Sequence, residues 1–310
     1  MAIHDNVGTV LAVTESPYGT GSPAAANAVK LLAPPTFNLN LGSSERGKLN
    51  SSASTGEPII GAAYWDIVLE FELKGSGTAG TAPECDPLLE AAGFLGVNVI
   101  STSETYKPSL TSDLSATIWW YCDGLIYKAT GCRGNISISG EAGGTIKCTW
   151  TGKGLYAATT DGALVSSPVY DATEGVSLTA GTFTYGSYAA ILRSLSLDMG
   201  VGVTALPAIA NGSNGISSVE LDRFNITGSM TVGHVLVATR AIEALAVAGA
   251  SVAFSLAVGA TVGNIVTITS SKLRKTGAAK AFNGGQVDMN IDFAMSETTS
   301  LNDDITIAFT

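Results

Sequence analysis

Short runs in which apolar and polar residues alternate recur along the chain, and this period of two limits the fold more than any other feature. In residues 66–73 every odd position is large and apolar, whereas three of the four even positions are carboxylates. In residues 145–151 the apolar residues take the even positions and Thr or Lys the odd ones. Successive side chains of a strand point to opposite faces, so each run predicts a strand with one buried and one solvated face. Gly, Ser, Asn and Pro separate the runs, which predicts a mainly β chain.

The composition limits the chain further. Hydrophobic residues make up 45% of the 310 residues, enough to fill a core, so a disordered chain is excluded. The formal net charge is −10 and Lys and Arg form no cluster, which excludes nucleic-acid binding through a basic surface. The sequence has neither a run of about 20 bulky apolar residues nor a basic N-terminal segment followed by an apolar one. We therefore expect no membrane segment, no secretory signal and folding in a cytosol.

Two local signals predict a hairpin and a helix. Asp123-Gly124 is a two-residue turn signal between the runs 116–122 and 125–130, and it predicts that these runs pair as a hairpin. Residues 86–93 begin with Asp-Pro and end with Gly, which supply an N-cap, a first helical residue and a C-terminal stop. They predict a short helix over residues 87–92.

The two halves of the chain carry similar features in the same order. The matched segments are 37–42 with 195–200, 64–73 with 223–232, 87–92 with 240–245, and 143–150 with 284–293. Any two β-rich stretches can be aligned in part, but a short helix at the same place in both series favours a duplication followed by loop shortening. The predicted organisation is an N-terminal arm (1–28), a first β domain (29–160), a linker (161–177) and a second β domain (178–310).

The sequence contains no motif of a catalytic or metal site. Neither His4 nor His234 stands in a motif with a Ser, a Cys or a carboxylate. The cysteines include no CxxC pair, so we expect buried thiols instead of a zinc site, with disulfide formation left open. These cysteines are Cys85, Cys122, Cys132 and Cys148. We predict that the protein is not an enzyme and needs neither metal nor cofactor.

Trp119 and Trp120 support an alternative function. Exposed aromatic rings provide flat stacking surfaces for ligands, so a carbohydrate-binding or adhesive β-sandwich on a virion or cell surface is the competing hypothesis. Adjacent strand residues point to opposite faces, however, so at most one of the two rings can join a given binding platform. We expect the other ring to lie in the core or to meet a neighbouring subunit.

Several segments resemble one protein family. Residues 75–94 form a Gly/Pro loop that ends in Pro-Leu-Leu-Glu-Ala-Ala-Gly-Phe, and Tyr-Lys-Pro follows at 106–108. Gly-Cys-Arg-Gly-Asn-Ile occupies 131–136, and segments 195–200 and 223–230 add later strands. In this order the segments resemble the major tail tube proteins of long, non-contractile (siphophage) bacteriophage tails. Cys132 stands where that family commonly has Ala.

The resemblance implies an antiparallel β-sandwich or barrel with a flanking short α-helix, here duplicated in one chain. It implies a structural virion protein, made in the host bacterial cytoplasm, that polymerises as stacked rings into the hollow tail tube through which DNA is delivered. The implied partners are the protein itself, a tape measure protein and tail terminator or tip proteins. With two folds per chain we expect three chains in a pseudo-hexameric ring, with six as the alternative. A contractile tail remains open.

The resemblance also assigns roles to residues. The polar strand face would line the lumen, where net acidity would let DNA phosphates pass without sticking. The expected lumen residues are Asp66, Glu70, Glu72, Thr149, Thr227, Ser229, Thr231, Asp288, Asn290 and Asp292, with Lys147 as a cationic exception. The residues expected to contact other subunits or rings are Tyr18, Pro23, Trp119, Trp120, Asp171 and Glu174.

Overall fold

A computed structural model describes residue 4 and residues 7–46, 56–109, 114–210 and 212–310. Within these ranges the chain is mainly β, its strand pairs are antiparallel, and its two α-helices are short. This confirms the fold class that the alternating pattern predicts. No helix among the described residues has the length and apolar character needed to cross a bilayer.

The secondary structure consists of strands with two short α-helices and one 3-10 turn, Ala25–Asn27. The strands are β1 (Gly8–Thr14), β2 (Ala28–Val29), β3 (Thr36–Ser44), β4 (Ile59–Glu72), β5 (Phe94–Val99), β6 (Ser103–Pro108), β7 (Ala116–Cys122), β8 (Leu125–Glu141), β9 (Lys147–Tyr156), β10 (Thr160–Asp161), β11 (Gly181–Tyr185), β12 (Tyr188–Ala189), β13 (Leu192–Asp198), β14 (Val203–Pro207), β15 (Ile216–Leu221), β16 (Thr227–Gly233), β17 (Ser251–Val258), β18 (Val266–Asn283), β19 (Gln286–Met295) and β20 (Thr306–Phe309). The helices are α1 (Asp86–Glu90) and α2 (Ile242–Val247).

Eight strands form a continuous row across the molecule. Their order is β3-β4-β9-β8-β13-β16-β19-β18, and each neighbouring pair is antiparallel. The row crosses from the first to the second half of the sequence where residues 137–141 of β8 pair with residues 194–198 of β13. We call this junction the internal seam. Hydrogen bonds between strands thus make one sheet out of both halves of the sequence.

Most of the remaining strands lie outside the row, and several of them pair with the first parts of its two longest strands, β8 and β18. β7 pairs with the first part of β8 and with β1, and β17 pairs with the first part of β18 and with β11. The C-terminal strand β20 lies between β18 and β6, and β6 pairs with β5. The hairpin of β14 and β15 forms a separate two-stranded sheet. Through the pairing of β6 with β20, the first half contributes β6 and β5 to the outer part of the second half.

The core receives the apolar face of the eight-strand row. Phe71, Cys148 and Ile138 stand in register on β4, β9 and β8, and all three are almost fully buried. Val10 on β1 and Ile118 on β7 belong to the same buried cluster, so the core lies between the row and the outer strands. Residues at odd positions in 67–73 are buried, as the alternation predicts.

The predicted hairpin and helices form with small changes at their ends. β7 and β8 are joined by Asp123 and Gly124, both with positive φ, as a tight two-residue turn requires. α1 begins at Asp86, one residue before the prediction, and Cys85 takes the N-cap position. α2 covers Ile242–Val247, so it is shifted by two residues toward the C-terminus relative to the matched segment 240–245.

Residues 8–14 lie within the segment that the sequence predicts as an N-terminal arm. They form β1, which pairs with all seven residues of β7. Glu15, directly after β1, is 5% exposed, and its carboxylate accepts hydrogen bonds from Ser115 Oγ (2.6 Å) and Thr117 Oγ1 (2.5 Å). Alternation within seven residues indicates a strand but not its partner, which lies more than 100 positions away along the sequence. The segment is part of the first β unit.

Candidate functional site: a polar sheet face and two open edges

One face of the eight-strand row is polar. A line of paired residues crosses seven of its strands from β4 to β18, and it reads Glu72, Lys147, Ser139, Ser196, Ser229, Asp292 and Gly277. A neighbouring line includes Thr231 and Asn290, whose side chains are hydrogen bonded (Oγ1 to Oδ1, 2.9 Å). The alternation that buries one face therefore gathers hydroxyls and carboxylates from both halves of the sequence on the other.

The ten residues expected to line a lumen all stand on this polar face by register. Asp288 departs from the others because it is 1% exposed, and Arg193 covers it, with 2.7 Å between Nε and the Asp288 carboxylate. Asp66 is partly screened, because its carboxylate meets Lys153 Nζ (3.0 Å) and the Asn40 side-chain amide (3.1 Å). Glu70, Thr227, Ser229, Asn290 and Asp292 are exposed, and Glu72, Thr149 and Thr231 are half-buried.

The sequence prediction missed the middle of this face. β8 contributes Ser137 and Ser139, and β13 contributes Ser194, Ser196 and Asp198, all in register across the internal seam. Their signal is present, since residues 135–139 read Asn-Ile-Ser-Ile-Ser and residues 194–198 read Ser-Leu-Ser-Leu-Asp. That these two segments are neighbours follows only from the strand pairing.

Two strand edges of the row lack a partner within the described chain. β3 pairs with β4 on one side, and its residues are almost all exposed. At the other end, residues 277–283 of β18 pair with β19 alone. Unpaired N–H and C=O groups on an exposed edge readily accept another strand. The row can therefore be extended at both ends.

Tyr18 and Pro23, expected to contact other subunits, are engaged within their own chain. The Tyr18 hydroxyl accepts a hydrogen bond from Val219 N (2.8 Å) and donates to Gly131 O (3.3 Å), and the Arg133 guanidinium lies 5.2 Å from the ring centre. Burial raises the pKa of Tyr18 to about 12. Pro23 is buried. The sequence predicts a free loop here because the segment is rich in Gly. In the structure, Tyr18 and Pro23 instead hold this segment against the rest of the chain.

Asp171 is also held within the chain, whereas Glu174 is not buried. The Asp171 carboxylate accepts a hydrogen bond from Glu84 N (2.9 Å), and Asp171 N donates to the Glu84 carboxylate (3.0 Å). Glu174 is 80% exposed and meets Lys30 Nζ at 3.2 Å. The segment expected as a linker is thus tied to the first half of the chain at Asp171, and Glu174 remains accessible.

The two adjacent tryptophans differ in accessibility to ligands. The Trp120 ring stacks on Tyr127 with centroids 4.8 Å apart and lies 5.7 Å from Phe37, so its face is occupied by its own chain. Trp119, on the opposite face of β7, has the Lys128 ammonium 5.2 Å from its ring centre. Neither ring presents a bare stacking platform, which removes the main support for carbohydrate binding.

All four cysteines are buried as thiols, as expected of structural cysteines. Burial raises the pKa of the Cys85, Cys132 and Cys148 thiols, which keeps them protonated and unreactive. Among the described residues no group of three His, Cys, Asp or Glu side chains is arranged to hold a metal ion.

Two carboxyls at α1 are partly desolvated. Burial is the main cause that raises the pKa of both Asp86 and Glu90, although the Tyr106 hydroxyl donates a hydrogen bond to Asp86 (2.6 Å) and the Thr14 hydroxyl donates one to Glu90 (2.7 Å). A carboxyl with a raised folded-state pKa holds its proton at a pH where the unfolded chain has lost it. These two groups therefore reduce stability as pH rises from the unfolded pKa through the folded pKa.

A Glu90→Gln variant tests this linkage. The amide oxygen can still accept the hydrogen bond from Thr14, but the titration is removed. We expect the stability of the variant relative to wild type to increase as pH rises from about 4 to about 7, measured by urea unfolding at each pH. A stability difference that stays constant over this range would show that Glu90 has the same pKa in both states.

Comparison with protein families gives a match over nearly the whole chain. A family model described as phage tail tube protein matches residues 5–309. A search of curated proteins found no matching relative.

Proposed function

This chain belongs to the phage tail tube protein family, and we propose that it polymerises as stacked rings into a hollow tube that conducts DNA during delivery to the host. The protein is a structural component of the phage tail. We place it in a siphophage tail, with a tape measure protein inside the tube and terminator or tip proteins at its ends. These finer assignments come from the resemblance of the segments at 75–94, 106–108 and 131–136.

The strand order of the row is the observation that carries the proposal. It divides into β3-β4-β9-β8 and β13-β16-β19-β18, two four-stranded units with the same order. The outer strands repeat as well, since β1–β7–β8 corresponds to β11–β17–β18, and β10 pairs with β8 as β20 pairs with β18. A duplicated tail tube fold accounts for both series, with the hairpin of β5 and β6 as an insertion in the first.

The open edges support ring closure. Within the chain, the second half joins the first through β8 and β13. The equivalent strand of the second half, β18, ends in an unpaired edge, and β3 leaves its outer edge open at the start of the row. Joining these edges between copies repeats the internal seam. Three chains then give six units around the axis.

The polar face suits a lumen. Glu70, Glu72, Asp198 and Asp292 stand on it with hydroxyls between them. Lys147 and Lys153 are cations on its first-half strands, and Arg133, which pairs with Lys153, is buried. An acidic surface repels DNA phosphates and offers few cations to hold them. Such a wall lets the duplex slide without binding it.

Electron microscopy of the purified protein tests the assembly. We expect concentration-dependent tubes in negative stain, and cryo-EM averages with three chains and pseudo-sixfold symmetry in each ring. Six chains per ring, each with two units, would contradict the three-chain proposal. A protein that remains a single chain at every concentration, and that binds glycans, would contradict tube assembly itself.

A further inference from the structure

A pocket of about 320 Å³, lined by both apolar and polar groups, lies at the internal seam. One wall is the end of β8 and the turn after it, with Ile138, Gly140 and Ala142. The opposite wall belongs to the second half and includes Phe183 of β11 and Leu256 of β17. Where the two halves meet, the end of the long strand of one unit thus reaches into a recess of the next.

The first half has a matching recess, for which the described residues provide no opposite wall. It is a pocket of about 290 Å³, lined by residues 8–10 of β1, residues 29–35 and Trp120 of β7, with Tyr170 at its side. Val10 pairs with Trp120 as Phe183 pairs with Leu256, so the two recesses use equivalent positions of equivalent strands. We call this pocket the first-half recess.

The second half has a matching strand end that none of the described residues covers. Ala278 pairs with Ile291 as Ile138 pairs with Cys148, which places Ala278 at the position of Ile138. Four residues further on, Ala142 corresponds to Phe282. Phe282 is 82% exposed. A Phe side chain so exposed on an unpaired strand edge costs solvation free energy that a partner would recover.

We propose that Phe282 of one copy docks in the first-half recess of the next copy, in the arrangement that the internal seam shows within one chain. The inference rests on the proposed ring assembly and names the contact that joins its chains. The occupant is a second copy of this chain. Every chain carries both the open strand end and the first-half recess, and the internal seam uses neither of them. We therefore assign their contact to two different copies.

The apolar part of the recess matches the side chain of Phe282. Phe282 offers an aromatic ring, and the recess contains Val10, Leu31 and the Trp120 indole, with Pro34 and Pro35 at its border. Leu32 is 44% exposed there. At the internal seam, Ala142 leaves the pocket partly empty. Phe282 stands at the equivalent position and is much larger, so it can fill more of the first-half recess.

Replacing Phe282 with Ala should leave the fold intact and weaken assembly. We expect the critical concentration for tube formation, measured by sedimentation, to rise at least about tenfold, equivalent to about 1.4 kcal/mol at the contact. The matched control is Leu301→Ala, which removes an apolar side chain that is 81% exposed in the turn before β20. Thermal unfolding of the isolated chains should be the same for both variants and wild type.

A photo-reactive side chain identifies the contact directly. With p-benzoylphenylalanine at position 282, irradiation of assembled protein should cross-link chains at peptides containing Val10, residues 29–35 or Trp120, whereas the same group at position 301 should not. Tubes that form with unchanged critical concentration in Phe282→Ala, and cross-links only to other peptides, would overturn the contact and leave tube assembly standing. Wild-type protein that forms no ring would instead overturn the proposed function, and the contact with it.

Discussion

Replacing Lys74 with Met is expected to lower the free energy of unfolding by about 3–5 kcal/mol, since it leaves a buried carboxylate without its cation. The Lys74 and Glu84 side chains are 3% and 7% exposed, with 3.4 Å between Nζ and Oε1. Lys74 Nζ also donates a hydrogen bond to Thr173 O (3.0 Å), so the variant also removes a contact that holds the segment around Thr173. Urea unfolding would measure the loss.

The chain supplies a matched control for this variant. Lys30 and Glu174 form an ion pair at 3.2 Å, but their side chains are 48% and 80% exposed. Lys30→Met should therefore cost no more than about 1 kcal/mol, because water already solvates both charges. Equal losses of unfolding free energy in Lys30→Met and Lys74→Met would mean that burial of the Lys74–Glu84 ion pair does not increase its contribution to stability. Hydrogen exchange at residues 171–174 should increase only in Lys74→Met.

Replacing Glu15 with Gln is expected to have the second large effect, which is to lower the free energy of unfolding by about 3 kcal/mol. One Glu15 carboxylate oxygen accepts from Thr117 Oγ1 and Gly131 N, and the other accepts from Ser115 Oγ and Gly19 N. An amide NH2 in either position would face a backbone N–H, so two donors would meet and neither could be satisfied. The midpoint of urea unfolding should fall, with faster hydrogen exchange at Gly19 and Gly131.

Two further variants test whether the loss of stability in Glu15→Gln comes from its buried hydrogen bonds or from the general loss of a charge. Thr117→Val removes one hydroxyl donor, while the other three donors to the Glu15 carboxylate remain, and it should cost about 1 kcal/mol. Glu174→Gln neutralises an exposed carboxylate and should have almost no effect on stability. If Glu15→Gln were as mild as Glu174→Gln, the buried carboxylate would not be what fastens the N-terminal segment.

The faces of the strands were predictable because alternation is a local property. Ile67 and Leu69 are fully buried, while Glu70 next to them is exposed, as the period of two requires. The Asp123-Gly124 hairpin was predictable for the same reason, since a two-residue turn fixes both its strands and their register. Asp288 shows the limit of the pattern. Its face follows from the alternation, but its burial depends on Arg193, 95 positions earlier and on another strand.

The sequence by itself determined that this is a β protein with one polar face, and its segments were enough to indicate a tail tube protein. Only the tertiary structure decided which strands are neighbours. It placed β1 beside β7, joined β8 to β13, and carried β20 between β18 and β6. Side-chain alternation depends on the backbone geometry of consecutive residues, whereas strand pairing depends on hydrogen bonds and packing between segments far apart in sequence. The open strand end at Phe282 and the first-half recess are products of that pairing.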